Sequence, residues 1–313
     1  MNRSVATDVA ATVSETTAFA RPSPWRVWLL ATRPATLPAA VVPVAVGTAV
    51  AAAEGGVHVV AALAALAGAL LLQIGCNLVN DVEDFARGAD TAARLGPARA
   101  TQRGWLTAAQ VRRAAALAFG LALLVGAGLT WHAGWPVAAI GVAGLFAAVA
   151  YTAGPWPLGY LGLGDVLVFA FFGPVAVCGT VWVQLGRVPV TAALASLSIG
   201  ALATAVLVVN NLRDRDGDAR AGKRTLAVRW GATAARAEYL VLLAAAFAVP
   251  ASVVALGVGR LGWLAPLLAL PAAAVCARAI LRTDGAALNP WLGRTARLEA
   301  LFGLLLAAGM LAP

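Results

Sequence analysis

The sequence predicts an all-α membrane protein: a polytopic helical bundle of about nine transmembrane helices, with its N-terminus in the cytoplasm. Three observations carry this. Of the 313 residues, 61% are hydrophobic before glycine is counted, and the 32 glycines raise the apolar share to about 71%, against roughly 45–50% in soluble domains. Only 12% are charged, too few to cover a soluble fold of this length. The apolar residues also gather into stretches able to cross a bilayer, which takes about 20 residues each. This composition excludes an ordinary cytosolic enzyme, a nucleic-acid-binding domain and a disordered regulator.

The first 25 residues are polar and rich in Ala, Ser and Thr. They lack an apolar core followed by a small-residue cleavage site, so no signal peptide is expected, and Asp8 and Glu15 argue against a transit peptide. A mobile cytoplasmic tail is expected there, with residues 26–313 forming a single transmembrane domain. The expected spans are 28–53, 57–80, 108–130, 136–152, 164–183, 190–212, 233–256, 261–281 and 298–311. The fourth is short and the ninth ends the chain.

Charge fixes the orientation. Of the 23 basic residues, 21 fall in or beside the N-terminal segment and the second-to-third, sixth-to-seventh and eighth-to-ninth connections. Arg187 and Arg260 alone fall on the other side, which places the first group in the cytoplasm. The net charge of +9 therefore reflects topology rather than a polyanionic partner. Trp28, Trp105, Trp131, Trp135, Trp182 and Trp263 lie near span ends, as an interfacial aromatic belt requires. Cys76, Cys178 and Cys276 have no metal-binding or disulfide spacing, and His58 and His132 are isolated in the chain.

Seven of the 14 acidic residues concentrate in two segments on that cytoplasmic side. NLVNDVEDFARGAD starts at Asn77 and NNLRDRDGDARAGKRT at Asn210, each at the end of an even-numbered span. At about 100° per residue, Asn77, Asp81 and Asp84 share one helical face, as do Asn210, Asn211, Asp214 and Asp218; Glu83 and Asp216 lie on the other. Carboxylates crowded at a membrane surface repel one another, and a hard divalent cation with oxygen ligands relieves this. Mg²⁺ binds few carboxylates and completes its shell with water and phosphate oxygens. Two such faces suggest a site for a Mg²⁺-complexed diphosphate, with Arg87, Lys223 and Arg224 able to neutralise the remaining charge. The alternative is a pair of solvated helix ends balanced by nearby arginines.

Two weaker motifs fail. Residues 217–223 fit GxxxxGK, but Arg224 follows where Ser or Thr is needed, and no strand precedes. Residues 216–220 approach DGxxAR but are one residue short, and the GxxxDxxxD that should follow is missing.

From Trp25 onward the chain resembles the UbiA-type membrane prenyltransferases. Their NDxxDxxxD motif is matched by Asn80, Asp81 and Asp84, with Gly88 in the last position and Asp90 two residues on; their DxxxD motif is matched by Asp214 and Asp218. ATRPATLPAA (31–40), LGPARATQRG (95–104), YTAGPWPLGYLGLGD (151–165) and the second acidic segment are similar to the branch that uses 1,4-dihydroxy-2-naphthoate. The YxxxK of the hydroxybenzoate branch is absent, because Pro155 follows Tyr151 at that spacing.

The resemblance implies transfer of a polyprenyl group from an allylic diphosphate to 1,4-dihydroxy-2-naphthoate, with loss of CO₂ and diphosphate. It implies Mg²⁺ held through diphosphate by Asp81, Asp84, Asp214 and Asp218 with Asn77 and Asn211, and Arg87, Lys223 and Arg224 as diphosphate clamps. Arg33, an ionisable residue inside the first span, would hold the acceptor's carboxylate. Tyr151 and Phe85 would wall the allyl cation, and Asp165 would orient an acceptor hydroxyl. The implied setting is the bacterial cytoplasmic membrane, the site facing the cytoplasm, with no obligate protein partner. The alternatives are a relative acting on another aromatic acceptor, or a polytopic transporter with acidic cytoplasmic gates. The scarcity of charge at mid-membrane depth disfavours the transporter.

Overall fold

The computed structural model describes residues 22–91 and 94–312; most of the expected tail lies outside them. The described residues are helical, without a strand, as an apolar chain must be when lipid cannot satisfy backbone N–H and C=O groups. In chain order the helices are α1 (Pro24–Ala31), α2 (Pro38–Ala53), α3 (Val59–Ala86), α4 (Ala108–Ala133), α5 (Trp135–Ala150), α6 (Gly164–Ala170), α7 (Ala176–Leu185), α8 (Val190–Arg220), α9 (Leu226–Ala255), α10 (Leu270–Ile280) and α11 (Asn289–Leu311). A π turn, Phe171–Val175, joins α6 to α7, and a 3-10 stretch, Leu261–Ala269, leads into α10.

Six helical units among the described residues are long and apolar enough to span a membrane: α3, α4, α6 with α7, α8, α9, and the 3-10 stretch with α10. The first expected span, drawn as continuous, is broken: Pro24–Thr36 and Pro38–Ala53 meet at 53° and together could form a seventh. The first piece is itself interrupted at Arg33, whose φ of 53° is the one positive value outside glycine among the described residues. Pro34 follows it, and a residue before proline is sterically pushed out of the helical region. Of the remaining two, α5 has 16 residues and α11 carries Arg294, Arg297 and Glu299.

Several helices run longer than a bilayer needs, α3 and α8 among them. With 28 and 31 residues, α3 and α8 extend about 42 and 46 Å against a hydrocarbon core of about 30 Å. Their surplus turns carry the two acidic segments, so the motifs stand on rigid helix rather than on loops.

α8 is the central helix, most of its length enclosed by neighbours. Ile199 and Leu202 on it, Val46 on α2, Tyr239 on α9 and Phe302 on α11 are fully buried around it. Between apolar helices in lipid, close packing replaces the hydrophobic effect as the driving force, so small residues mark the tightest crossings. At Gly173 and Gly200 the π turn lies against α8: a Cβ on Gly200 would stand 2.7 Å from the Phe169 carbonyl oxygen. This crossing brings the start of α6 beside Asn211. Gly200→Val should therefore lower the thermal stability of purified protein in detergent, since overpacking against backbone costs about 1–3 kcal/mol or more. Gly120→Ala, within α4 and with no atom within 4 Å of its new methyl, should be neutral or slightly stabilising.

Candidate active site

The last turns of α3 present one buried and one exposed face, phased as the sequence predicts. Asn77, Asn80, Asp81 and Asp84 are buried, while Glu83 faces outward to Arg112 at 3.4 Å. Asn77 anchors the broken first span: its Nδ2 donates to the Thr32 carbonyl and to Thr36 Oγ1, each at 3.0 Å, and Arg33 Nη2 donates to the Asn77 carbonyl at 3.1 Å. Thr152 donates to Asn80 Oδ1 at 2.6 Å.

Asp81 and Asp84 divide the work. The two oxygens of Asp81 accept the backbone N–H groups of Ala100 and Thr101 at 3.1 and 3.2 Å, pinning the α3–α4 connection over the helix end. Asp84 gathers side chains instead: Tyr160 Oη donates to it at 2.9 Å, Arg99 Nη2 at 3.3 Å, and Lys223 Nζ lies 3.3 Å away. Asp90 pairs with Arg94 and with Arg99 Nε at 3.1 Å. Burial pushes the Asp90 carboxyl up to about 6 against the pull of Arg94.

On α8, Asn211, Arg213 and Asp218 are buried and Asp216 is exposed beside Arg215. Asp214 is held by its neighbour Arg213, which also donates to Asn210 Oδ1 at 2.8 Å and Asn289 Oδ1 at 3.1 Å. Asn211 Nδ2 donates to Asp165 at 3.4 Å. Asp218 lies 3.4 Å from Lys223 Nζ. One ammonium therefore lies between Asp84 of the first acidic segment and Asp218 of the second. Burial works against its charge, but the two carboxylates outweigh burial and raise its pKa. Tyr160 closes the cluster from above, its ring 4.8 Å from Lys223 and 5.4 Å from Arg87. Burial and Asp84 together keep its phenol protonated.

Beneath this cluster lies an apolar cavity of about 240 Å³ bounded by α2 to α7. Along α3 its wall runs from Cys76, one turn below Asn80, to Ala65, a depth of about 16 Å at helical rise. Tyr151 and Gln73 line its upper end, and five glycines (68, 126, 141, 144 and 179) leave the room that side chains would fill.

Residues 40–298 match the model of the UbiA prenyltransferase family. The chain belongs to this family. Among its UbiA-type relatives is 1,4-dihydroxy-2-naphthoate octaprenyltransferase of Escherichia coli K12, 38% identical over 293 residues, covering 91% of this chain and 95% of the relative. The Mycobacterium tuberculosis protein of the same name is 44% identical over 225 residues, covering 70% and 75%. The fold matches a UbiA homolog from Archaeoglobus fulgidus bound to DMAPP and Mg²⁺, with TM-score 0.64, 15% identity, and coverage of 90% of this chain and 99% of that one. A UbiA homolog from Aeropyrum pernix K1 matches with TM-score 0.56 and 22% identity, covering 88% and 96%. UbiA membership sets the transporter alternative aside.

The site residues expected from the sequence do not all converge. Asp84, Asp218 and Lys223 meet directly, and Arg87 adjoins them through Tyr160 while donating to the Gly154 carbonyl at 2.6 Å. Asn77, Asp81, Asp214 and Asn211 are close in the chain but engaged elsewhere, and Asp165 is buried on Asn211. Arg224 contributes its backbone N–H to the Tyr160 carbonyl at 2.8 Å while its side chain is exposed. Phe85 is corrected: it is 45% exposed and absent from the cavity wall, because it stands about 100° round α3 from Asp84. Tyr160, Arg99 and Arg213 join the site without having been expected from the sequence. All three lie within segments similar to the naphthoate branch, so the available signal is position in a motif rather than residue type.

Among the described residues no three acidic, histidine or cysteine side chains converge closely enough to hold a metal ion alone. Carboxylates from α3 and α8 nevertheless share one cation, Lys223. Such a donor set fits Mg²⁺ that takes its other ligands from diphosphate and water. Asp84→Asn or Asp218→Asn should cost roughly a thousandfold in prenyl transfer at saturating Mg²⁺. Glu83→Gln and Asp216→Asn remove the same charge from the outer face and should cost less than about tenfold, because exposed pairs contribute little. Equal losses at all four positions, with expression matched, would replace the shared face with a general charge requirement.

Proposed function

We propose that this UbiA-family protein transfers a polyprenyl group from an allylic polyprenyl diphosphate to 1,4-dihydroxy-2-naphthoate, giving demethylmenaquinol, CO₂ and diphosphate. The observation that carries this is the meeting of Asp84 and Asp218 at one cation, about 12 Å along α3 from the Cys76 end of an apolar cavity. The names of the relatives that cover nearly all of the chain supply the acceptor.

The chemistry follows from the parts. The C–O bond between prenyl group and diphosphate breaks as a C–C bond forms to the ring carbon bearing the carboxylate. The carboxylate leaves as CO₂, and its bonding electron pair restores the aromatic ring. Asp84 and Asp218 would hold Mg²⁺ through diphosphate, and the bound ion would supply positive charge against the leaving group. Asp81 and Asp214 have to exchange their present partners to join them, and Asn77 and Asn211 support the two helix faces. Lys223 and Arg87, with Arg224 at the rim, bind diphosphate oxygens more strongly as charge develops, which lowers the barrier. The cavity takes the prenyl tail, with the Tyr151 ring at its mouth. Arg33 and Asp165 are the acceptor-side residues.

The charge asymmetry supports nine spans and a site facing the cytoplasm of a bacterial membrane. A cysteine at Glu83 should react with thiol reagents only when they reach the cytoplasmic face. The reaction itself is tested by incubating purified membranes with Mg²⁺, a polyprenyl diphosphate and competing aromatic acids. One CO₂ should appear per prenylated naphthalene, and EDTA should abolish both. A carboxylated prenyl naphthoate accumulating as final product would overturn the proposed chemistry.

Cavity depth should select the prenyl chain. A methyl group added to Gly141 would meet no atom within 4 Å, so Gly141→Leu should fit without breaking the fold and occupy tail space. We expect it to shift preference from long to short prenyl diphosphates, read as relative kcat/KM across chain lengths. An unchanged length profile would place the tail elsewhere.

A further inference from the structure

The turn between α10 and α11 stands at the same end of the bundle as the acidic segments. Arg236 on α9 donates to the Ile280 and Thr283 carbonyls at the close of α10, at 3.1 and 3.2 Å. Asn289, which opens α11, is bonded to Arg213 and to the Leu95 carbonyl. The side chains of Cys276 on α10 and Thr295 on α11 meet, so the two helices lie side by side at this level.

Residues 270–312 hold four basic residues: Arg278 and Arg282 at the close of α10, and Arg294 and Arg297 near the start of α11. All four are exposed. None has an acidic or hydrogen-bonding partner among the described residues, and Arg294 alone stacks on a ring, that of Trp291 at 4.2 Å. The same stretch holds two acids, and neither balances them. Asp284 is taken by Arg236 at 2.8 Å, and Glu299 is fully buried. Other arginines at this end are engaged: Arg94, Arg99, Arg112 and Arg213 pair with carboxylates, and Arg87 and Arg229 donate to carbonyl oxygens. Membrane topology asks for positive charge on one face; it does not ask that the charge be left unpaired.

The faces that carry these arginines turn apolar toward the middle of the membrane. On α11, positions 294, 297, 301 and 304 follow one another at steps of three and four, which is one helical face. After the two arginines come Leu301 and Leu304, 40% and 68% exposed. α10 shows the same order from the other direction, with exposed Val275 followed by Arg278 and Arg282. An anionic phospholipid is built alike, with a phosphate at the headgroup level over two hydrocarbon chains. A guanidinium meets two phosphate oxygens through its fork of N–H donors. A zwitterionic lipid carries the same phosphate together with a cation that four arginines repel.

We propose that the ends of α10 and α11 form a binding site for an anionic phospholipid. Its phosphate lies among Arg278, Arg282, Arg294 and Arg297, and its acyl chains follow the apolar faces below them. The site does not depend on the proposed reaction.

The test titrates the full chain, purified in neutral detergent, with phosphatidylglycerol or phosphatidylcholine. It reads the melting temperature and, by native mass spectrometry, the lipid retained. Phosphatidylglycerol should raise the melting temperature well above the effect of phosphatidylcholine at the same dose. Arg278→Gln combined with Arg297→Gln removes two groups that hold nothing in the fold, so without lipid this variant should melt as wild type does. Its affinity for phosphatidylglycerol should fall roughly twenty-five-fold, at about fivefold for each arginine beside an anionic headgroup. Arg113→Gln combined with Arg220→Gln removes the same charge from exposed positions on α4 and α8 and should leave that affinity near wild type. Should the first pair fail to fold, Arg282→Gln alone should still show the single-arginine loss. Equal losses in the two pairs would reduce the effect to net charge and overturn the site, as would equal melting shifts with the two lipids. Inorganic phosphate reproducing the shift would replace the lipid with a free anion. A dimer that persists without lipid and dissociates in the first pair would put a second copy of the chain on this face instead.

Discussion

The meeting of α3 and α8 depends on the Lys223 ammonium, which lies between a buried carboxylate from each. An unpaired carboxylate taken from water either costs several kcal/mol or takes up a proton. Asp84 and Asp218 offset part of that cost by sharing one cation at 3.3 and 3.4 Å. Lys223 owes its position to the short loop after α8, which the Arg224 N–H ties to the Tyr160 carbonyl. Tyr160 in turn donates to Asp84 and covers the ammonium with its ring. Three segments far apart in the chain thus close on one charge.

The rest of the bundle serves that meeting. α8 is central and crosses the π turn at glycine, which sets α6 and its Asp165 against Asn211. The bent first span turns back at Arg33 and grips α3 through Asn77. Small residues do opposite jobs in different places: paired across a crossing they bring backbones together, and facing inward they leave a cavity. The contrast between a charged rim and an apolar floor suits a substrate with a diphosphate at one end and a hydrocarbon at the other.

Much of this is legible in the chain. Apolar run lengths locate most helices, and the 3.6-residue period places Asp81 and Asp84 inward and Glu83 outward. These are local signals, carried by neighbours in sequence. The division between Asp81, which holds backbone, and Asp84, which holds side chains, is not legible. It depends on where a connection some 20 residues later folds back. Tyr160 is hidden for the same reason, since its partners lie 76 and 63 positions away. Phe85 fails as a site residue because adjacency in the chain is not adjacency in space: one step along a helix turns the side chain aside. The broken first span needs the conjunction of Arg33 and Pro34, which hydropathy does not register.

α11 is docked at both ends. At its start Asn289 accepts from Arg213 and donates to the Leu95 carbonyl at 2.8 Å, joining α8 to the α3–α4 connection. Near its end Gly309 meets Gly262 so closely that a Cβ on either would overlap the other's carbonyl. Chains are made from the N-terminus onward, so the ribosome has released both acidic segments into the membrane surface long before the helix that locks them exists. This later-made helix is thus a keystone for earlier ones, and a chain stopped short of it carries every motif residue without the clasp that sets them in register.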